Sequence, residues 1–221
     1  MSVKEDTLRE LGLAFYGKIT ASLSHELNNS FAIIHEHNGL LDDMLVGANQ
    51  GLSIDQAKLQ RISKKVSTQL ERGKELIKRL NKFAHRTDKP VAEIDVNEVL
   101  NEIILLSQRL AGMKGLSLEF KEESSSPRIV SNPFNIQHAI FTCFEIYMAN
   151  AEANRLIEGS VTKSEQSVTV RIAGTAVRDD DVNKAKTDVL DLLLEQLNAD
   201  WEVTTLENGE HAIELTLRNI G

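Results

Sequence analysis

The side chains best equipped for chemistry cluster in residues 21–34, ASLSHELNNSFAII, where His25 is followed by Glu26 and then by Asn28 and Asn29. An imidazole titrates near neutral pH and can act as a nucleophile. A neighbouring carboxylate can hold the proton of its second ring nitrogen. Asn28 and Asn29 fall about one helical turn past His25, with Asn29 on nearly the same face. Spacing alone does not separate this group from a solvated surface pair on a helix.

What positions these residues is a run of apolar side chains. Leu23, Leu27, Ile34 and Leu41, with Ser30 and His37 between them, recur at alternating steps of four and three, the pattern of a coiled-coil seam. His25 lies about 200° around the helix from Leu23 and therefore points away from the seam. Residues 7 to about 46 contain no proline and predict one long helix, weakened locally at Gly12, Gly17 and Gly39. GANQGLS is the turn, and Ser53 with Gln56 three residues on reads as a helix cap. A second helix follows with Leu59, Ile62, Val66, Leu70, Gly73, Leu76 or Ile77, Leu80 and Phe83 near heptad spacing. Two such helices joined by a short loop predict an antiparallel hairpin. A lone hairpin leaves part of its apolar surface open, so pairing with a second copy predicts a homodimer built as a four-helix bundle.

RTDKPVAEID reads as a linker and divides the chain into residues 1–88 and 89–221. Beyond it, residues 96–112 predict a helix and LSLEFKEE a strand. SSSPRIVSNP reads as loop with a short strand at most, residues 134 to about 157 as a helix, SVTVRIAG as a strand and residues 182–198 as a helix. Two alternating runs around Asn208-Gly209 predict a hairpin. The fold class expected is α+β: the helical hairpin, then a domain with helices over one face of a mostly antiparallel sheet.

Composition narrows the function. With 221 residues, 41% hydrophobic and 26% charged, the chain is of ordinary globular character. Its 25 basic against 33 acidic side chains give a net charge of −8, which argues against nucleic acid as the main partner. The charged start MSVKEDTLRELG has no signal-peptide core, and no window reaches the roughly 18 apolar residues of a membrane span. A cytoplasmic protein with no membrane partner is expected. The single cysteine, Cys143, sits between Phe141 and Phe144 and reads as a buried thiol.

Laid out in this way, the chain resembles the bacterial two-component sensor histidine kinases. SHELNN resembles their H-box, RLNKFAHR the end of the second hairpin helix, VNEVLNEIILLSQRLAGMKGLSLEF the first helix and strand of the catalytic domain, and SNPFNIQHA the approach to the nucleotide-contacting helix. The resemblance implies that His25 is a phosphoacceptor, that Glu26 engages the proton of its other ring nitrogen, and that Asn28 can orient water against a partner's aspartyl phosphate. The departures are equally informative. The place of the family's nucleotide-binding asparagine falls at Ile146 or Glu145, depending on the reference point, while Asn150 in NAEA sits one turn late. Where the family carries its glycine-rich boxes, this chain has Gly174-Thr175-Ala176-Val177 and RDDDVNKAKTD. Such loops cradle phosphates by letting the backbone approach closely, so ATP is not expected as a cofactor.

The resemblance thus implies a histidine phosphotransfer protein, relaying a phosphoryl group between receiver-domain aspartates through His25. Its partners would be response-regulator receiver domains, which supply the Mg²⁺, and a histidine kinase as a further candidate partner. The alternatives are a pseudokinase or interaction module that regulates such partners without chemistry, and a phosphatase acting through Asn28. Other polar groups carry less. His35 and His37 read as structural, His138 and Glu145 lack further metal ligands, and Asp179, Asp180 and Asp181 form a solvated charge run. His85-Arg86 and His211 carry no readable signal.

Overall fold

The protein is described from a computed structural model covering residues 3–122, 127–150, 155–174, 180–206 and 211–219. Its first element is a single helix, α1 (Val3–Asn49), which continues through all three of its weakening glycines. It ends in a Schellman turn: Leu52 N–H donates to the Gly47 carbonyl and Gly51 N–H to that of Ala48, both at 3.0 Å. Gly51 sits at φ +90°, a left-handed conformation that only glycine adopts without strain. Helix α2 (Gln56–Ala84) follows. Its cap is Asp55 rather than the expected Ser53, because the Asp55 carboxylate accepts from Lys58 N–H at 3.1 Å and its carbonyl accepts the first helical bond from Leu59. A charged acceptor at the helix start also meets the positive end of the macrodipole.

The chain divides into two compact units, Thr20–Phe83 and Met1–Ile19 with Ala84–Gly221. This places the divisions at 19/20 and 83/84, where sequence composition put a single boundary at 88/89. The first unit is an antiparallel hairpin. Leu23 and Ser30 of α1 are buried, as are Ile62, Leu76 and Phe83 of α2, and Gly73 lies so close to Leu27 that an added Cβ would touch its side chain at 3.5 Å. Leu59, Leu70 and Ile77 belong to a stripe beside that seam and remain 41%, 48% and 45% exposed.

In the second unit a short 3₁₀ turn (His85–Thr87) leads to β1 (Ala92–Asp95), which pairs antiparallel with β3 (Arg128–Ser131). The predicted linker therefore contains a strand, pinned by its buried Ile94 and by Asp95, whose side chain caps α3 (Val96–Gly112) by accepting from Glu98 N–H at 3.2 Å. Between β1 and β3 in the chain lies β2 (Ser117–Lys121). Helix α4 spans Pro133–Asn150, and β4 (Leu156–Lys163) begins inside the stretch predicted as helix to about 157 and runs on through residues to which the sequence assigns no element. After it come β5 (Val168–Gly174), α5 (Asp180–Leu197), β6 (Asp200–Thr205) and β7 (His211–Leu217).

The main sheet has the order β2-β4-β5-β7-β6, with β2 and β4 parallel and every other pairing antiparallel. The fold class is α+β, as the sequence predicts. Helices α3, α4 and α5 form a layer on the sheet. Gly159 of β4 faces Leu100 and Ile104 of α3, whose methyls would lie 3.2 Å from an added Cβ. The opposite sheet face is polar: Arg171 and Glu214 stand directly across from each other and pair at 2.7 Å. The Asn208-Gly209 turn joining β6 and β7 lies outside the described residues, as do Ala151 to Asn154 and Thr175 to Asp179. Among the described residues no helix is long and apolar enough to cross a membrane.

Candidate functional site

His25 is exposed, and among the described residues no side chain hydrogen bonds its ring. It stands on the outer face of α1 because Leu23 and Leu27, two residues to either side, turn toward α2. Asn28 and Asn29 are exposed beside it, with Asn29 one turn along the same face. Glu26 does not accompany them. Its carboxylate reaches across the hairpin to the Arg72 guanidinium at 3.0 Å and is only 16% exposed. Adjacent helix positions point about 100° apart, so a residue on the outer face and its successor near the interhelical surface diverge. Nothing in the local sequence marks out Arg72, because its partner lies in another helix.

The remaining histidines are structural or peripheral. His37 is half-buried on the seam and donates from Nδ1 to the Ile33 carbonyl at 2.8 Å, while His35 is exposed. His85 pairs with Asp88 at 2.7 Å, and His211 Nδ1 lies 3.4 Å from the Thr205 hydroxyl. His138 is buried and stacked on Phe15 of α1, with centroids 4.7 Å apart and planes inclined by 2°. Burial lowers its pKa to about 4, with Glu145 acting in the opposite sense and Lys186 in the same one. Among the described residues no group of three or more His, Cys, Asp or Glu could hold a metal ion. Of the acidic run, Asp179 lies outside the described residues and Asp180 and Asp181 open α5. Cys143 is fully buried, which pushes its thiol pKa well up and keeps it protonated.

The two positions where the resemblance puts a nucleotide-binding asparagine are both committed to other interactions. Ile146 is buried. Glu145 is bridged by Lys18 of α1 and Lys186 of α5. Burial alone would raise the Glu145 carboxyl, but the hydrogen bonds and charges of these two lysines outweigh it and hold its pKa below the usual range. Asn150 is the last residue of α4. Gly174, at the point where the sequence departs from a glycine box, faces the Tyr147 ring, whose carbons would lie 3.1 and 3.2 Å from an added Cβ. The buried Tyr147 hydroxyl shares its proton between the carbonyls of Ile172 at 2.9 Å and His211 at 2.8 Å, tying α4 to β5 and β7. The glycine thus makes room for an aromatic ring.

The histidine kinase AdeS of Acinetobacter baumannii superposes with a TM-score of 0.50 at 12% identity, covering 89% of this chain and 98% of that one. The chain has a histidine-kinase fold. The catalytic domain of the histidine kinase ThkA matches with a TM-score of 0.50 at 11% identity, over 59% of this chain and 97% of that one. Full-length ShkA, solved in complex with AMPPNP, matches with the same TM-score at 14% identity, over 86% of this chain and 45% of that one. No protein-family model matches the sequence, and no curated protein matches it. At these identities the likeness concerns the fold, and the chemistry rests on the residues themselves.

Proposed function

We propose that the protein is a histidine phosphotransferase of a two-component phosphorelay, accepting a phosphoryl group from the aspartate of one receiver domain onto His25 and passing it to another. The observation that carries this reading is the exposed, unbonded imidazole of His25 on the outer face of a rigid helix, in a chain of histidine-kinase fold. Its unprotonated ring nitrogen attacks phosphorus in line with the aspartyl oxygen. The N–P bond forms as the P–O bond breaks, and the freed carboxylate stays on the receiver, which holds the Mg²⁺. Transfer to the next receiver reverses these steps. Asn28 and Asn29 flank the path and can hydrogen-bond the phosphoryl oxygens. The Glu26–Arg72 pair acts through position, bracing α1 against α2 beneath His25.

A protein rather than ATP is the phosphoryl source in this reading: it is supported by the sequence's departure from the glycine-rich boxes and by Ile146 and the Lys-bridged Glu145 at the two places where the family's asparagine would fall. A second copy of the chain, covering Leu59, Leu70 and Ile77, would complete a four-helix bundle around the hairpin.

Incubation with receiver domains carrying radiolabelled aspartyl phosphate tests the relay. Label is expected to reach the wild-type chain as an acid-labile, base-stable adduct and to be absent from His25→Ala. Failure of every receiver from the same genome to label the wild type would favour a non-catalytic binding module. Loss of receiver phosphate without label on this chain, abolished by Asn28→Ala, would favour a phosphatase. ATP-dependent labelling at micromolar nucleotide would overturn the assignment of the donor.

A further inference from the structure

Within the second compact unit, a pocket of about 330 Å³ opens between α4, α5, the C-terminal end of α3 and Lys18 of α1. Its charged wall consists of Lys18, Lys114, Lys186 and Glu145, three ammonium groups against one carboxylate. Leu110 and Met148 supply apolar lining, and the exposed Met113 adds to it at the mouth. The pocket lies on the face of α4 that bears Glu145, Met148 and Ala149, whereas Ile146 and Tyr147 line a separate cleft of about 240 Å³ with Trp201 and Val203. Of the two places where the family's asparagine would fall, Glu145 thus faces this pocket and Ile146 the other cleft.

Local charge here opposes that of the molecule. In a chain of net charge −8, this wall carries an excess of positive groups. Lys18 and Lys186 each bond Glu145, but an ammonium has three donors, so each retains others toward the pocket. Lys114 has no ion-pair partner among the described residues and is exposed. Its backbone is held firmly nonetheless. A Schellman turn closes α3, with Leu116 N–H donating to Ala111 and Gly115 N–H to Gly112, both at 3.0 Å, and with Gly115 at φ +70°. This turn presents Met113 and Lys114 side by side at the mouth. The volume falls at the lower end of the range for small-molecule clefts, and methionines adapt their shape to varied apolar bodies.

We propose that this pocket binds a small organic anion, a carboxylate, sulfonate or phosphate ester carried on an apolar body, with the anionic head among Lys114, Lys186 and Lys18 and the body on Leu110 and the two methionines. The site is independent of the phosphotransfer reading and stands or falls by its own test.

The probe is 8-anilinonaphthalene-1-sulfonate titrated into the full-length chain, with the uncharged N-phenyl-1-naphthylamine as its neutral counterpart. The sulfonate is expected to bind the folded protein at least tenfold more tightly than the neutral dye. Lys114→Glu, on an exposed side chain, should weaken it at least tenfold, and Lys114→Gln should weaken it by a smaller factor. Glu145→Gln should tighten it severalfold, because it frees both bridging lysines. Equal binding of the two dyes, or sulfonate affinity unchanged in both Lys114 variants, would overturn the proposal. Both Lys114 variants are compared at matched thermal stability, so a folding defect in Glu145→Gln leaves the test decisive.

Discussion

Beneath the stacked ring of Phe15, His138 is held neutral by burial, and this has a direct consequence for pH. The unfolded chain takes up the proton near pH 6.5 and the folded chain only at about 4. The contribution of His138 to stability is therefore complete above pH 6.5 and falls as the pH drops toward 4, by on the order of 3 kcal/mol in all at 1.36 kcal/mol per unit. The charged groups facing it are Glu145 and Lys186. Glu145, with its pKa held down by lysine partners, adds to the loss at lower pH as it too becomes protonated. His138→Phe keeps a ring against Phe15 and removes the titration. Thermal melts from pH 7 to 4.5 should show a flatter decline in Tm for this variant than for wild type, and parallel curves would refute the assignment. The candidate role of His25 rests on a motif, and a motif is local. Arg72, Lys18 and Lys186 could not be read in this way, because each acts on a residue brought to it by the fold.

At the scale of elements, the helix ends hold the testable detail. Asp55→Ala removes the acceptor for Lys58 N–H and should cost about 1 kcal/mol in a urea titration, while Ser53→Ala should change nothing measurable. The reversed result would restore the cap that the sequence favours. Ser-x-x-Gln is a strong local signal, and Asp55 prevailed because its own carbonyl opens the helical ladder at Leu59. Periodicity delivered α1, α3 and α5 closely, with the bounds of α3 as predicted. It failed at β4, where Gly159 stands at an inward position between Ile157 and Val161. The α3 methyls that fill that space are invisible in the strand's own sequence, where the glycine leaves a gap in the alternation. β1 was hidden for a similar reason, since its pairing partner β3 lies beyond a helix and another strand.

For the molecule as a whole, the exposed stripe of Leu59, Leu70 and Ile77 bears on assembly. Burying a leucine or isoleucine fully is worth about 1.5–3 kcal/mol, enough for several such residues to favour association. Leu70→Glu with Ile77→Glu is expected to convert a dimer into a species of 24.6 kDa by light scattering, with helicity retained. A wild-type chain already at that mass would dismiss the four-helix bundle.

The second compact unit is discontinuous in the chain, since Met1–Ile19 precede the hairpin and Ala84–Gly221 follow it. On a ribosome, Phe15 emerges early and must wait for Phe134, His138 and Phe141 before its ring has anything to cover. The inserted hairpin shortens that wait in entropic terms. Once α1 and α2 zip together, Thr20 and Phe83 lie at the same end, and the closure cost of a long flexible loop has already been met by local helix pairing. A fragment starting at residue 84 would lack the strand-side unit's first piece altogether, leaving a patch of aromatic rings open to water. The hairpin therefore serves the other unit as a folding clip, whatever passes through His25.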